Sequence, residues 1–258
     1  MSASQNFIQE RHRSFVLKIN SADRTNPQDS TTNFKIELGK EVSNFKISRI
    51  VMRSCNFLNS MYNINQFNNT LELTTGTDGL VSKTITPGQY NLTNLIAEII
   101  SQFGSLTNTL AIVQNAIQNT LTFSISGGDT IQFSSQSTST MNSVLGITAQ
   151  QAAAASITTQ QTPRLNGLTI ATVESASLAP ANYHGKGQNR NFLGSLQVSS
   201  DYGAYVYWEN FQAELASHNY SRPRKLDSTI DVKILDQDEN QLDIQGQNIE
   251  IEVICYHT

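Results

Sequence analysis

An all-β sandwich is the fold class this sequence predicts, and three observations carry it. Five short runs alternate apolar and polar residues: Phe34–Leu38, Leu121–Ile125, Leu168–Ile170, Ile230–Ile234 and Ile249–Val253. Successive side chains on a strand point to opposite faces, so each run offers one face to a core and the other to water or a partner. The runs extend from near the N-terminus to near the last residue, which argues against an alternating strand–helix enzyme fold. All five prolines (Pro27, Pro87, Pro163, Pro180 and Pro223) fall between runs, as expected for a residue that cannot donate to a sheet ladder.

Taken in order, residues 1–13 form a polar N-terminal arm in which Phe7 and Ile8 supply an apolar anchor and Arg11 and Arg13 the charge. Such termini stay mobile until something docks them. Strands are expected at Phe15–Ile19, Phe34–Leu38, Phe45–Phe57 and Leu71–Thr75, with the turn-rich Ser21–Pro27 between the first two. A helix follows Pro87-Gly88-Gln89-Tyr90. Asn91 can cap it, and Leu92, Leu95, Ile96, Ile99, Ile100 and Phe103 form one apolar stripe; Gly104 is placed for a left-handed C-cap. Next come a hairpin-like pair, Leu121–Ile125 and Ile131–Phe133, around Gly127-Gly128-Asp129, and a short apolar turn at Met141–Ile147. The stripe of the helix is expected to pack on that pair. Strands resume at Leu168–Val173, Gly194–Val198, Ala204–Trp208, Thr229–Leu235 and Ile249–Tyr256.

From Ser54 to Pro163 the only charges are Glu72, Asp78, Lys83, Glu98 and Asp129, against 15% of residues charged overall. This shift marks residues 80–163 as an inserted α+β module, ending in a low-complexity Gln/Ala stretch, within a sandwich formed by 14–79 and 164–258. Ser, Thr, Asn and Gln total 99 of the 258 residues, and the net charge is −4. Uncharged polar groups solvate a surface without the strong field that would hold nucleic acid, so no sequence-specific nucleic acid partner is expected.

Cys55 and Cys255 both lie in apolar strand-like runs. They read as buried thiols in a reducing compartment, with a disulfide between the two strands as the alternative. No apolar stretch approaches the roughly 18 residues a spanning helix needs. The N-terminal residues lack a signal peptide's apolar core, and Ser2 stands where myristoylation needs glycine.

Residue types for catalysis are absent from the expected places. His12, His184, His218 and His257 never stand two or four residues apart, the spacings that aim two imidazoles at one metal. There is no G-x-S-x-G elbow, and Gly185-Lys186-Gly187 lacks the spacing of a P-loop. Asp236-Gln237-Asp238-Glu239-Asn240 opens like a calcium loop, but Gln241 replaces the required glycine and Gln247 the closing glutamate, so a hairpin tip is the reading. Neither an enzyme activity nor a cofactor or metal is expected. The basic clusters at 184–190 and 222–225 read as exposed flexible loops. Tyr202, Tyr205, Tyr207 and Trp208 read as core and rim of one strand, and their concentration also fits a protein–protein interface.

Three features in order resemble the penton and related minor capsid proteins of virophages and of large icosahedral DNA viruses with double-jelly-roll major capsids. They are Phe15–Ile19 running into Asn20–Arg24 and then Thr32–Leu38; Pro87-Gly88-Gln89-Tyr90 leading a helix, a hairpin and Val144-Leu145-Gly146-Ile147; and Leu242–Gly246 before a terminal strand. Asn248 departs from the aromatic expected after that glycine. The resemblance implies a single jelly roll assembled as a homopentamer at fivefold vertices, without catalytic residues. It also implies a virion capsid location, synthesis in the host cytoplasm or virus factory, and the major capsid protein and other capsid components as partners. A minor capsid or spike protein with a receptor- or carbohydrate-binding sandwich is the alternative. Candidate interaction residues are Phe7, Ile8, Arg11, Arg13, Tyr205, Tyr207 and Trp208.

Overall fold

The structure is a computed structural model that describes residues 13–133, 138–179, 182–183, 189–210 and 217–257, with backbone alone at 182–183 and 189. The first segment carries β1 (Arg13–Asn20), β2 (Asn33–Glu37), a one-turn helix α1 (Lys40–Ser43) and β3 (Lys46–Leu58). Then come β4 (Thr70–Thr75), β5 (Gly79–Thr84), α2 (Leu92–Gln102), β6 (Leu110–Asn115), β7 (Thr120–Ile125), β8 (Ile131–Phe133), α3 (Asn142–Leu145) and β9 (Ser156–Thr158). The return segment carries β10 (Ile170–Glu174), β11 (Asn182–Tyr183), β12 (Asn189–Arg190), β13 (Phe192–Gln197), β14 (Tyr205–Glu209), β15 (Ser217–Lys225), β16 (Thr229–Leu235) and β17 (Ile249–His257). Two compact units result. One joins Met1–Ser60 to Leu168–Thr258, and the other is Met61–Gly167.

The first unit is a sandwich of two antiparallel sheets. One runs β1-β17-β3-β14, with β15 continuing beside the other half of β3; the second runs β13-β10-β16-β2. Counting β14 and β15 as one broken strand gives eight strands, four to a sheet. The chain crosses repeatedly between the sheets, so that its first and last strands end as neighbours. This is the jelly-roll arrangement, and the second unit is inserted between its third and fourth strands.

Alternation explains the core. On β17, Ile249, Ile251, Val253 and Cys255 are buried, and Leu17 and Ile19 of β1 and Ile230, Val232 and Ile234 of β16 join them. Gly194 on β13 lies so close to Met52 of β3 that a Cβ there would stand 2.5 Å from the methionine methyl, so the two sheets touch where a side chain has been left out. The two cysteines cannot form a disulfide. Cys55 pairs with Ile251 and Cys255 with Ile50, four residues apart along β17, about 13 Å at strand rise. Burial pushes both thiols up to about 12.

The second unit holds two three-stranded sheets, β5-β4-β8 and β6-β7-β9, and the helix α2. The sequence pairs Leu121–Ile125 with Ile131–Phe133, but the structure separates them: β7 lies between β6 and β9, whereas β8 pairs with β4. The intervening Gly127 and Gly128 both take φ +73°, and the Asp129 carboxylate accepts from the Thr77 amide and the Asn108 side chain, carrying the chain to the other sheet. The true hairpin, β6–β7, turns at Asn115, whose side chain accepts from the amides of Ile117 and Gln118.

Helix α2 forms as the sequence predicts, capped by Asn91, which accepts from Asn94 at 2.8 Å. Leu95, Ile99 and Phe103 are buried, while Leu92, Ile96 and Ile100 are half-buried at the margin of the same apolar cluster. That cluster includes Leu121, Phe123 and Ile125 of β7, although the helix backbone runs closest to β6. The C-cap is Phe103 at φ −88°, and Gly104 does not adopt the expected left-handed form. The left-handed cap is instead Gly146, which ends α3 at φ +77° with the Gln161 carbonyl where a Cβ would stand.

Candidate interaction surface

Strand β14 lies beside β3, with Tyr207 opposite Asn56, Trp208 opposite Cys55 and Tyr205 opposite Leu58. Period-two alternation therefore splits the aromatic group that the sequence places together. Tyr205 and Tyr207 stand on the outer face, 77% and 68% exposed. Trp208 faces inward beside the buried Cys55 and is itself half-buried, a rim position in the core. The tyrosine pair is thus available to a partner, and the tryptophan acts mainly in packing.

A chain of charges crosses the same outer face. Tyr207 donates to Glu209 at 3.1 Å; Arg53 lies 3.8 Å from Glu209 and 3.6 Å from Glu252; Lys18 lies 3.2 Å from Glu252. These residues sit on β14, β3, β17 and β1, so the chain spans the whole sheet. Its geometry depends on a β-bulge. Glu252 pairs with Ser54 and Val253 with Met52, which leaves Arg53 as the extra residue. A bulge re-aims the side chain it adds, and here it turns a guanidinium toward two carboxylates. The hydrogen bond to Glu209 holds the Tyr207 hydroxyl above its ordinary value. Sequence reading missed this chain because its members are scattered across four strands, and a bulge leaves no local signature.

Of the arm residues named from sequence, Arg13 is the exposed first residue of β1, paired with His257. Phe7, Ile8 and Arg11 lie outside the described residues. At the same end of the sheet Phe45 packs against Phe15 (5.3 Å between centroids) and His257 (4.7 Å).

The basic segments read as flexible loops are, where described, held in place. Arg190 lies 3.4 Å from Glu174 and 2.8 Å from Glu239. Arg224 on β15 donates to the Ser177 carbonyl at 2.6 Å and to the Tyr220 hydroxyl at 3.3 Å, its guanidinium stacked over that ring. Residues 184–188 lie outside the described residues. The Asp236 carboxylate accepts from the backbone amides of Asp238 and Asn240, both at 2.9 Å, which makes Asp236–Asn240 a self-contained turn. Among the described residues no three His, Cys, Asp or Glu side chains converge as a metal set.

Fold and surface together define a single jelly roll with an α+β insertion between its third and fourth strands and an aromatic, charge-laced outer face. The fold is similar to that of the mavirus penton protein. That solved structure matches 95% of this chain and 100% of its own length, with a TM-score of 0.51 and 8% sequence identity. The resemblance anticipated from the sequence motifs is therefore present at the level of fold. No family profile and no curated protein sequence matches the chain.

Proposed function

We propose that the protein is a structural capsid protein, and in particular a penton that forms homopentamers at icosahedral fivefold vertices. The observation that carries this reading is the correspondence of fold with the mavirus penton protein along nearly the whole length of both chains. Physical features of the sandwich support it. The outer strand β1 is eight residues long with Lys18 as its one lysine, and Lys18 is engaged with Glu252. Edge strands with few free lysines are open to pairing, and a closed ring gives every subunit the same two faces to cover. The partners are further copies of the chain, the major capsid protein and other capsid components, and the location is the virion capsid. Residues 1–12, which precede β1, serve as an arm that docks on a neighbouring capsid component, with Arg13 as the first residue of the sheet instead of the last of the arm.

The test is the mass and symmetry of purified protein across a concentration series, by mass photometry and electron microscopy. Closed rings of five are expected at high concentration, and stable trimers would replace the penton reading with another minor capsid role. The exposed Tyr205 and Tyr207 support a second reading, a receptor- or carbohydrate-binding sandwich. A dispersed monomer that binds sugars on a glycan array, and loses them on Tyr207→Ala, would favour it.

A further inference from the structure

Of the 25 asparagines in the chain, Asn166 is the one followed by glycine. We propose that Asn166–Gly167 is a site of spontaneous deamidation, placed where the chain passes from the second unit back to the sandwich. Three observations converge there. Residues 162–169 have no regular secondary structure, and Asn166 is exposed. The Asn166 side chain has no hydrogen-bond partner among the described residues, so its amide is not anchored. Gly167 takes φ +64° and carries no Cβ to shield its amide nitrogen.

The competing positions are held. Alanine, the next smallest residue, follows Asn115, whose side chain accepts from the amides of Ile117 and Gln118, and serine follows Asn20, Asn59 and Asn142. The Asn20 side chain accepts from the Ala22 amide at 2.8 Å. Asn59 is buried and donates to the Ser200 carbonyl at 2.8 Å, and Asn142 is buried and accepts from the Ser139 hydroxyl at 2.7 Å. An anchored side-chain amide cannot swing its carbonyl carbon onto the next backbone nitrogen.

The step needs only water and hydroxide. Hydroxide removes the Gly167 amide proton, and the nitrogen attacks Cγ of Asn166 and forms a new N–C bond. The Cγ–Nδ2 bond then breaks, and Nδ2 leaves as ammonia after taking a proton from water. Water opens the resulting succinimide at either carbonyl, leaving aspartate or isoaspartate at position 166. The product adds a negative charge to a unit with six charged residues in all, and the isoaspartyl form lengthens the backbone by one methylene.

The experiment holds intact purified protein at mildly alkaline pH, then digests it and reads each asparagine peptide by mass spectrometry, with an isoaspartyl methyltransferase as a second probe. The peptide containing residue 166 is expected to be the first to gain the mass of an NH2-to-OH exchange, and to accept methyl groups. It should react to a comparable extent in folded and urea-unfolded protein. Asn166→Gln should abolish the gain at that peptide while leaving the oligomeric state unchanged. First modification at Asn20, Asn59, Asn115 or Asn142 would overturn the proposal, and so would reaction at Asn166 only after unfolding.

Discussion

In the sandwich unit, ionised side chains are tied to one another: Lys18, Glu252, Arg53 and Glu209 across one sheet, and Glu174, Arg190 and Glu239 beside the other. The inserted unit uses its charges differently. Each of its six meets a neutral partner among the described residues: Glu72 with Thr138, Asp78 with Thr107, Lys83 with Ser105, Glu98 with Gln102, Asp129 with Asn108, and Arg164 with Gln161. Its ends are closed by an amide. Asn63 donates to the carbonyls of Tyr90 and Leu165 and accepts from the Tyr90 amide. The drop in charge along the sequence therefore marks a change in what polar groups do: the sandwich pairs part of its charges with opposite charge, whereas the inserted unit meets each of its single ions with Asn, Gln, Ser or Thr.

The largest expected effect comes from the core of the inserted unit. Phe123 is fully buried and meets Phe133 edge-on at 5.0 Å. Phe123→Ala should destabilise that unit by about 3–5 kcal/mol in denaturant unfolding. Ile99→Ala should cost about 2–5 kcal/mol, and Ile96→Ala clearly less, because Ile96 is only half-buried. Equal losses at Ile96 and Ile99 would contradict the assigned helix face.

Removing the amide network comes next. Asn63→Ala leaves the Tyr90 amide without its acceptor and should cost about 1–3 kcal/mol. Amide exchange should accelerate at Tyr90 and in the strands of the inserted unit. A silent variant would show that Asn63 is not what closes the unit.

Acid should affect both units together. Burial pushes the Asp231 carboxyl up, but hydrogen bonds from the Ser177 hydroxyl and the amides of Ala176 and Ser177 outweigh it and hold the group below its usual range. Asp129 behaves alike through Thr130, Thr77 and Asn108. A carboxyl with a lowered folded-state pKa stabilises above its unfolded value, about 3.9, and that contribution is lost as pH falls through the folded value. Stability of both units should therefore be flat near neutrality and decline below about pH 4. Asp231→Asn should remove part of that decline from the sandwich alone.

Salt should give the smallest difference. Exposed ion pairs contribute about 0–1 kcal/mol and are screened at high ionic strength. Sodium chloride should loosen the sandwich by a few tenths of a kcal/mol at most, and leave the inserted unit unchanged. A larger loss in the inserted unit would reverse the comparison.

Much of the fold is legible in the sequence because alternation is local. The strand runs at Phe34–Leu38, Ile230–Ile234 and Ile249–Val253 and the capped helix after Asn91 all fall where the pattern puts them. Pairing is less legible, since which strands become neighbours depends on residues far apart. The apparent hairpin around Gly127-Gly128 splits between two sheets because Asp129 is drawn to Thr77 and Asn108, about fifty and twenty residues away. The second unit also takes in β4 and β5, whose alternation reads the same in a sandwich sheet as in a separate one. On the candidate surface, Tyr205 and Tyr207 were visible as types, whereas the inward turn of Trp208 and the bulge at Arg53 needed the register.

The measurement that bears most directly on two units with separate cores uses two probes on one variant. Trp208 is the only tryptophan and lies in the sandwich, so its fluorescence reports that unit, while amide exchange at β6, β7 and β9 reports the other. In Phe123→Ala, exchange in β6, β7 and β9 should accelerate by the equivalent of about 3–5 kcal/mol while the Trp208 unfolding midpoint holds. A Trp208 transition that moves in step with the exchange would show a single cooperative core and contradict the division.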